Sequence, residues 1–291
     1  MSFETSCSSL AQNVDFPPIS DWETAYSNRR AIPDVSQWMA RTANSAAHFG
    51  ATFDGHVDKD VAYGSEPRER LDIFHPNGSA VGTVVFVHGG YWRASTKESH
   101  WHFSNGFLLR GWRVAFIEYP LCPQVSIQDI ADSIKRAVEC IAKKIPDGPL
   151  VMSGHSAGGH LVTWLCSELG ALNQDVLERI NRVVSLSGLH DLRPLVGAPE
   201  LNTDLRLNLV EASALSPALS RPSGDFELIC IAGATELPEF RRQSLLLANI
   251  WNGFGLHTRA IELPNENHFT LLDGLLDPRS DITSLVLGPD S

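Results

Sequence analysis

Between residues 83 and 264 the chain repeats one pattern: a short apolar run rich in β-branched residues, then a longer stretch with helical spacing. The runs are TVVFV (83–87), WRVAFIEY (112–119), PLVMSG (149–154), INRVVSLSG (180–188), FELICIAG (226–233) and HTRAIELP (257–264). Helix candidates fall at about 98–110, 126–144, 157–170, 239–254 and 269–276. Strands apolar on both faces and separated by helices bury themselves in a mostly parallel sheet with helices on both sides. Two shorter strand candidates, near 60–64 and 70–75, give that sheet an antiparallel opening. No repeat, low-complexity tract or linker interrupts the pattern, so residues 1–291 read as a single α/β domain.

Two stretches depart from the rhythm. Residues 1–58 hold a proline-containing lead-in at Phe16–Pro18 and helix-like segments near 20–30 and 33–48, the second with Val35, Trp38, Met39 and Ala43 at helical spacing. They are too few to enclose a core of their own and read as a helical arm or partial lid. Residues 189–224 carry four prolines and only short helix-like pieces after a strand's carboxyl end, where binding pockets form.

Composition removes several classes of function. Acidic residues outnumber basic ones by 34 to 23, a net charge of −11, with no Lys/Arg run, which disfavours nucleic acid as a partner. No stretch has signal-peptide or transmembrane character, and the five cysteines (Cys7, Cys122, Cys140, Cys166, Cys230) are scattered without a CxxC pair. Free thiols in the cytoplasm, away from membranes, are the expectation.

The chemistry is concentrated in VMSGHSAGGHL, 151–161. Gly154-His155-Ser156-Ala157-Gly158 fits G-x-S-x-G, placed between a strand and a helix as a nucleophile elbow requires. A serine needs a base oriented by an acid, here in the chain order serine, acid, histidine. His268, on the loop after the last strand, is the base; His257 opens that strand, at the wrong end, and His190 lies earlier. Glu236 follows FELICIAG directly and is the acid, with Asp191 in SGLHDLRP as its rival and Glu239 assigned to a helix start. Acyl transfer also needs fixed donors for an oxyanion. Ala157 N–H supplies one, and Gly89 and Gly90 in VFVHGGYWRA (86–95), after an early strand, supply the others, with His88 bracing the loop.

Other residues carry less. His100 and His102 lack a third metal ligand and read as a solvated helix start, so no metal is expected. His155 and His160 read as packing around the elbow, and nothing near Cys122 would lower its pKa. Tyr91, Trp92 and Trp101 either stack on an aromatic substrate or pack the lid.

HGGYW (88–92), EYPLCP (118–123), GHSAGGHL (154–161), SGLHDLRPL (187–195), LPEFRRQS (237–244) and NHF (267–269) together resemble the kynurenine formamidase (arylformamidase) branch of the α/β-hydrolases, over about residues 60–276. The resemblance implies the α/β-hydrolase fold, a Ser156–Glu236–His268 triad and a cytosolic enzyme without metal or cofactor that cleaves N-formyl-kynurenine to kynurenine and formate. Glu236 stands where this branch often has aspartate. A small-molecule substrate is the expected partner, and a homodimer stays open. Two competing readings share these residues: a short-chain carboxylesterase with the same triad, and an inactive hydrolase fold used as a binding protein.

Overall fold

The computed structural model describes residues 18–288; the lead-in at Phe16 and Pro17 and the thiol of Cys7 lie outside them. Eight strands, β1 (Val57–Ala62), β2 (Arg70–Phe74), β3 (Thr83–Val87), β4 (Arg113–Ile117), β5 (Leu150–His155), β6 (Ile180–Leu186), β7 (Glu227–Gly233) and β8 (Thr258–Leu263), form one sheet. Their order is β1-β2-β4-β3-β5-β6-β7-β8, and only β2 runs against the rest. The antiparallel opening and the six following strands stand within a few residues of where the sequence places them.

Alternation along each strand splits the interior in two. Val85, Val87, Met152 and Cys230 face one core, while Val84, Phe86, Val151 and Ile229 face the other. Every side chain of β3 and β5 is buried, as expected for strands covered on both faces.

The helices are α1 (Trp22–Ala25), α2 (Asn28–Ala31), α3 (Val35–Thr52), α4 (Asn105–Leu109), α5 (Ile127–Lys144), α6 (Ala157–Leu165), α7 (Gln174–Leu177), α8 (Pro199–Leu205), α9 (Leu209–Ala214), α10 (Pro238–Asn252) and α11 (Asp281–Leu287). α5 starts on a reciprocal cap: Ser126 Oγ accepts from Asp129 N, and the Asp129 carboxylate accepts from Ser126 N. Three differences from the sequence reading stand out. The segments 98–104 and 270–276 are 3₁₀ rather than α, α11 is an additional helix, and the stretch near 20–30 breaks into the single turns α1 and α2. The break falls where Tyr26 turns inward and becomes buried, its hydroxyl donating to Glu239 at 2.6 Å.

The arm packs on the body rather than standing alone. Phe49 of α3 and Phe53, which follows it, pack against Phe74, and Trp38 donates its indole N–H to Asp273 at 3.1 Å. The segment 189–224 forms α8, α9 and two 3₁₀ turns (193–197 and 217–219), and α1 lies against its first turn, with Trp22 over Gly197.

Candidate active site

Every candidate group sits just past the carboxyl end of a parallel strand: Gly89 and Gly90 after β3, Ser156 after β5, Glu236 after β7 and His268 after β8. The sheet thereby gathers residues from 89 to 268 at one edge, where open α/β sheets bind ligands.

Ser156 has φ 55° and ψ −117°, a strained conformation for a residue with a side chain, between the end of β5 and the first turn of α6. The turn closes because its glycines permit contact between main chains. A Cβ on Gly158 would lie 2.0 Å from the Val87 carbonyl oxygen, and one on Gly154 would lie 2.3 Å from that of Gly158. Ser156 Oγ makes no hydrogen bond with a described residue and lines a cavity of about 580 Å³. His268 lines the same cavity.

The histidine is held from two sides. Its Nδ1 donates to Glu236 Oε2 at 2.9 Å, and its backbone carbonyl accepts from His155 Nε2 at 2.7 Å. Burial pushes the His155 pKa well below the usual histidine range, so its ring is neutral and that nitrogen carries the proton it donates. Phe240 and Phe269 meet the His268 ring edge-on and complete a dry surround. The Glu236 carboxylate is fully buried and satisfied: Oε1 accepts from Ser187 Oγ at 2.5 Å and from Gly233 N at 2.6 Å. The rival Asp191 is engaged instead with Arg193, at 2.8 and 2.9 Å, and has no contact with His268.

Three backbone donors surround the serine. The N–H groups of Gly89, Gly90 and Ala157 have no acceptor among the described residues. Ala157 opens α6, where a first-turn amide lacks an intrahelical partner. Gly89 and Gly90 line the cavity, and Gly90 has φ 110° with Ala94 O crowding the place of a Cβ. The loop is braced from behind: His88 stacks on Tyr119 and meets Glu118 through Nε2 at 3.3 Å, and Glu118 also accepts from Lys97 N and Arg68.

Several residues differ from the sequence expectation. Trp92 does not line the cavity: it is fully buried and donates its indole N–H to His160 Nδ1 at 3.2 Å. Tyr91 does line the cavity, and its hydroxyl donates to Tyr26 O, tying the glycine loop to the arm. Trp101 donates to Asp72 and packs under α3. His100 and His102 are buried, not solvated, because the 3₁₀ turn carrying them lies under α3. Glu239 opens α10 as expected but is also buried, holding Tyr26, Arg242 and Gln243. His56 and Asp58 meet His75 across the β1–β2 pair, with Lys144 Nζ 3.6 Å from Asp58. Antiparallel pairing of β1 with β2 creates this group, which spacing alone does not display. Cys122 is buried with its thiol pushed up to about 11, chiefly by burial. Ser187, which helps hold Glu236, is not singled out by the sequence pattern; its one signal is the SLSG at the end of β6.

Two predictions concern stability. Burial lowers His100 and His160 to about 3 and His102 and His190 to about 4. The unfolded chain takes up these protons near pH 6.5 while the fold refuses them. Their contribution is therefore fully present above about pH 6.5 and is lost as pH falls toward the folded values. Urea midpoints are expected to be level from pH 7 to 8 and to decline steadily from pH 6 to 4. Tyr26→Phe removes a donor from the buried Glu239 and is expected to cost about 1–3 kcal/mol, read as a lower urea midpoint at unchanged slope.

Sheet order, elbow and buried acid–histidine pair together define an α/β-hydrolase. A family model named BD-FAE matches residues 71–215. The kynurenine formamidase of Danio rerio is 25% identical over 92% of this chain and 98% of its own length. The crystal structure of a putative thioesterase from Silicibacter sp. TM1040 superposes with a TM-score of 0.85 at 36% identity, covering 91% of this chain and 98% of that one. An esterase from Pyrobaculum calidifontis shares the fold at 15% identity, with a TM-score of 0.68 over 91% of this chain and 95% of that one. The chain belongs to the kynurenine formamidase-like branch of the α/β-hydrolases and is a hydrolase of the arylformamidase or esterase type.

Proposed function

We propose that the protein is a serine hydrolase that cleaves the formyl amide of an aromatic amine, with N-formyl-kynurenine as substrate and kynurenine and formate as products. The observation that carries this reading is the His268–Glu236 pair, 2.9 Å apart, whose histidine lies on the wall of the cavity that Ser156 also lines. Full-length similarity to kynurenine formamidase favours the formamide over a simple ester.

The residues suggest the following sequence. Ser156 Oγ attacks the formyl carbon while His268 Nε2 takes its proton. Glu236 keeps the proton on Nδ1 and stabilises the imidazolium. The oxyanion is received by the N–H groups of Gly89, Gly90 and Ala157. Collapse breaks the C–N bond, and His268 returns the proton to the departing amine. Water, deprotonated by His268, then attacks the formyl ester, releasing formate and restoring Ser156. A hydrogen on the acyl carbon needs no acyl pocket, so the cavity is left to the leaving group, with Tyr91, Trp38 and Phe269 on its wall as ring contacts. In this reading the chain acts as one unit in the cytoplasm, with the arm as roof of the site. No helix among the described residues is long and apolar enough to cross a membrane.

The test is turnover of N-formyl-kynurenine against p-nitrophenyl acetate and butyrate. Preference for the formamide by orders of magnitude in kcat/KM is expected. If the esters win and the formamide is untouched, the carboxylesterase reading replaces this one.

A further inference from the structure

The cavity roof holds a buried amide with nothing to bind. Asn28 of α2 lines the cavity and is 3% exposed, yet neither its Nδ2 nor its Oδ1 has a hydrogen-bond partner among the described residues. Leaving such a group unpaired is unfavourable, and an amide kept there is best explained by a ligand that satisfies it. The next residue supplies an independent observation. The other charged side chains that line this side of the cavity are engaged: Arg30 with Glu200, Arg93 with Asp204, and Glu23 with Glu200 N. Arg29 also lines the cavity and has no ion pair among the described residues. Arg29 is exposed, so the cavity mouth carries a solvent-facing guanidinium next in sequence to the buried, unpaired amide of Asn28.

We propose that Asn28 and Arg29 are specificity-determining residues that bind a carboxylate on the leaving-group side of the substrate. The guanidinium presents a planar fork that matches a carboxylate, and Asn28 Nδ2 adds a neutral donor while Oδ1 accepts an N–H of the same ligand. A dianion fits less well, since Glu23 and Glu200 stand on the same rim. The assignment rests on the hydrolase reading for the position of the leaving group, and it locates substrate selection on the arm rather than on the sheet.

The test avoids dependence on the formamide. 4-Phenylbutanoate and its neutral counterpart 4-phenylbutanamide are compared as competitive inhibitors of p-nitrophenyl acetate hydrolysis, with direct titration calorimetry of both as a second readout. For the wild type the carboxylate is expected to bind about tenfold more tightly than the amide. In Arg29→Gln the ratio collapses toward one, in Arg29→Lys it is intermediate, and in Asn28→Leu it falls severalfold. Equal binding of the two compounds by the wild type overturns the proposal, and so does a ratio that survives Arg29→Gln. A merely structural role for the arm shifts both constants together and leaves the ratio intact, which also overturns it. Failure of the formamidase reading shows separately, as absent N-formyl-kynurenine turnover with the inhibitor ratio unchanged.

Discussion

Ser156→Ala is expected to abolish turnover of both formamide and ester, with a fall in kcat of about six orders of magnitude. The magnitude follows from the proposed covalent route, since without Oγ no acyl-enzyme forms and His268 has no nucleophile to activate. The three unemployed N–H groups around the serine remain in the variant, so weak hydrolysis above the uncatalysed rate survives. The fold is expected to tolerate the change, because Ser156 Oγ makes no hydrogen bond with a described residue. The measurement is kcat for p-nitrophenyl acetate and N-formyl-kynurenine, with the urea midpoint as a check on folding. A variant retaining a tenth of the activity would move the nucleophile elsewhere.

The second large effect distinguishes the two candidate acids. Glu236→Gln keeps nearly the same shape but replaces an acceptor with an amide that presents N–H toward Ser187 Oγ, Gly233 N or His268 Nδ1, all of them donors to the carboxylate now. The His268 tautomer is then wrong for accepting the proton of Ser156, and kcat is expected to fall by about four orders of magnitude. Asp191→Asn breaks only the pairing with Arg193 and is expected to stay within a few-fold of the wild type. Parallel kcat/KM measurements on the two variants decide the matter. Loss in Asp191→Asn with activity retained in Glu236→Gln would assign the acid to the loop after β6.

The sequence revealed the sheet because each inner strand is apolar on both faces, a pattern that few other environments impose. It also revealed Ser156, His268 and Glu236 as a group, because each follows directly from a strand end and the sheet has only one edge where strand ends converge. Side-chain direction was not legible in the same way. Tyr91 and Trp92 are adjacent and chemically alike, yet one lines the cavity while the other is buried against His160 of α6. The burial of His100 and His102 depends on α3, some 50 residues earlier in the chain, and so does the position of Trp101. The engagement of Glu239 by Tyr26 has the same origin: an arm whose docking is encoded in partners that only the folded chain brings near.

The floor of the cavity is made by strand ends, and its roof by residues between 23 and 43. On the proposed assignment of Asn28 and Arg29, reaction and selection are written in separable parts of the gene. Changes confined to the arm can retune which leaving groups are admitted while the bond-breaking apparatus is inherited intact. A lineage built on this plan can diversify its substrates through its most peripheral segment, with the sheet held constant.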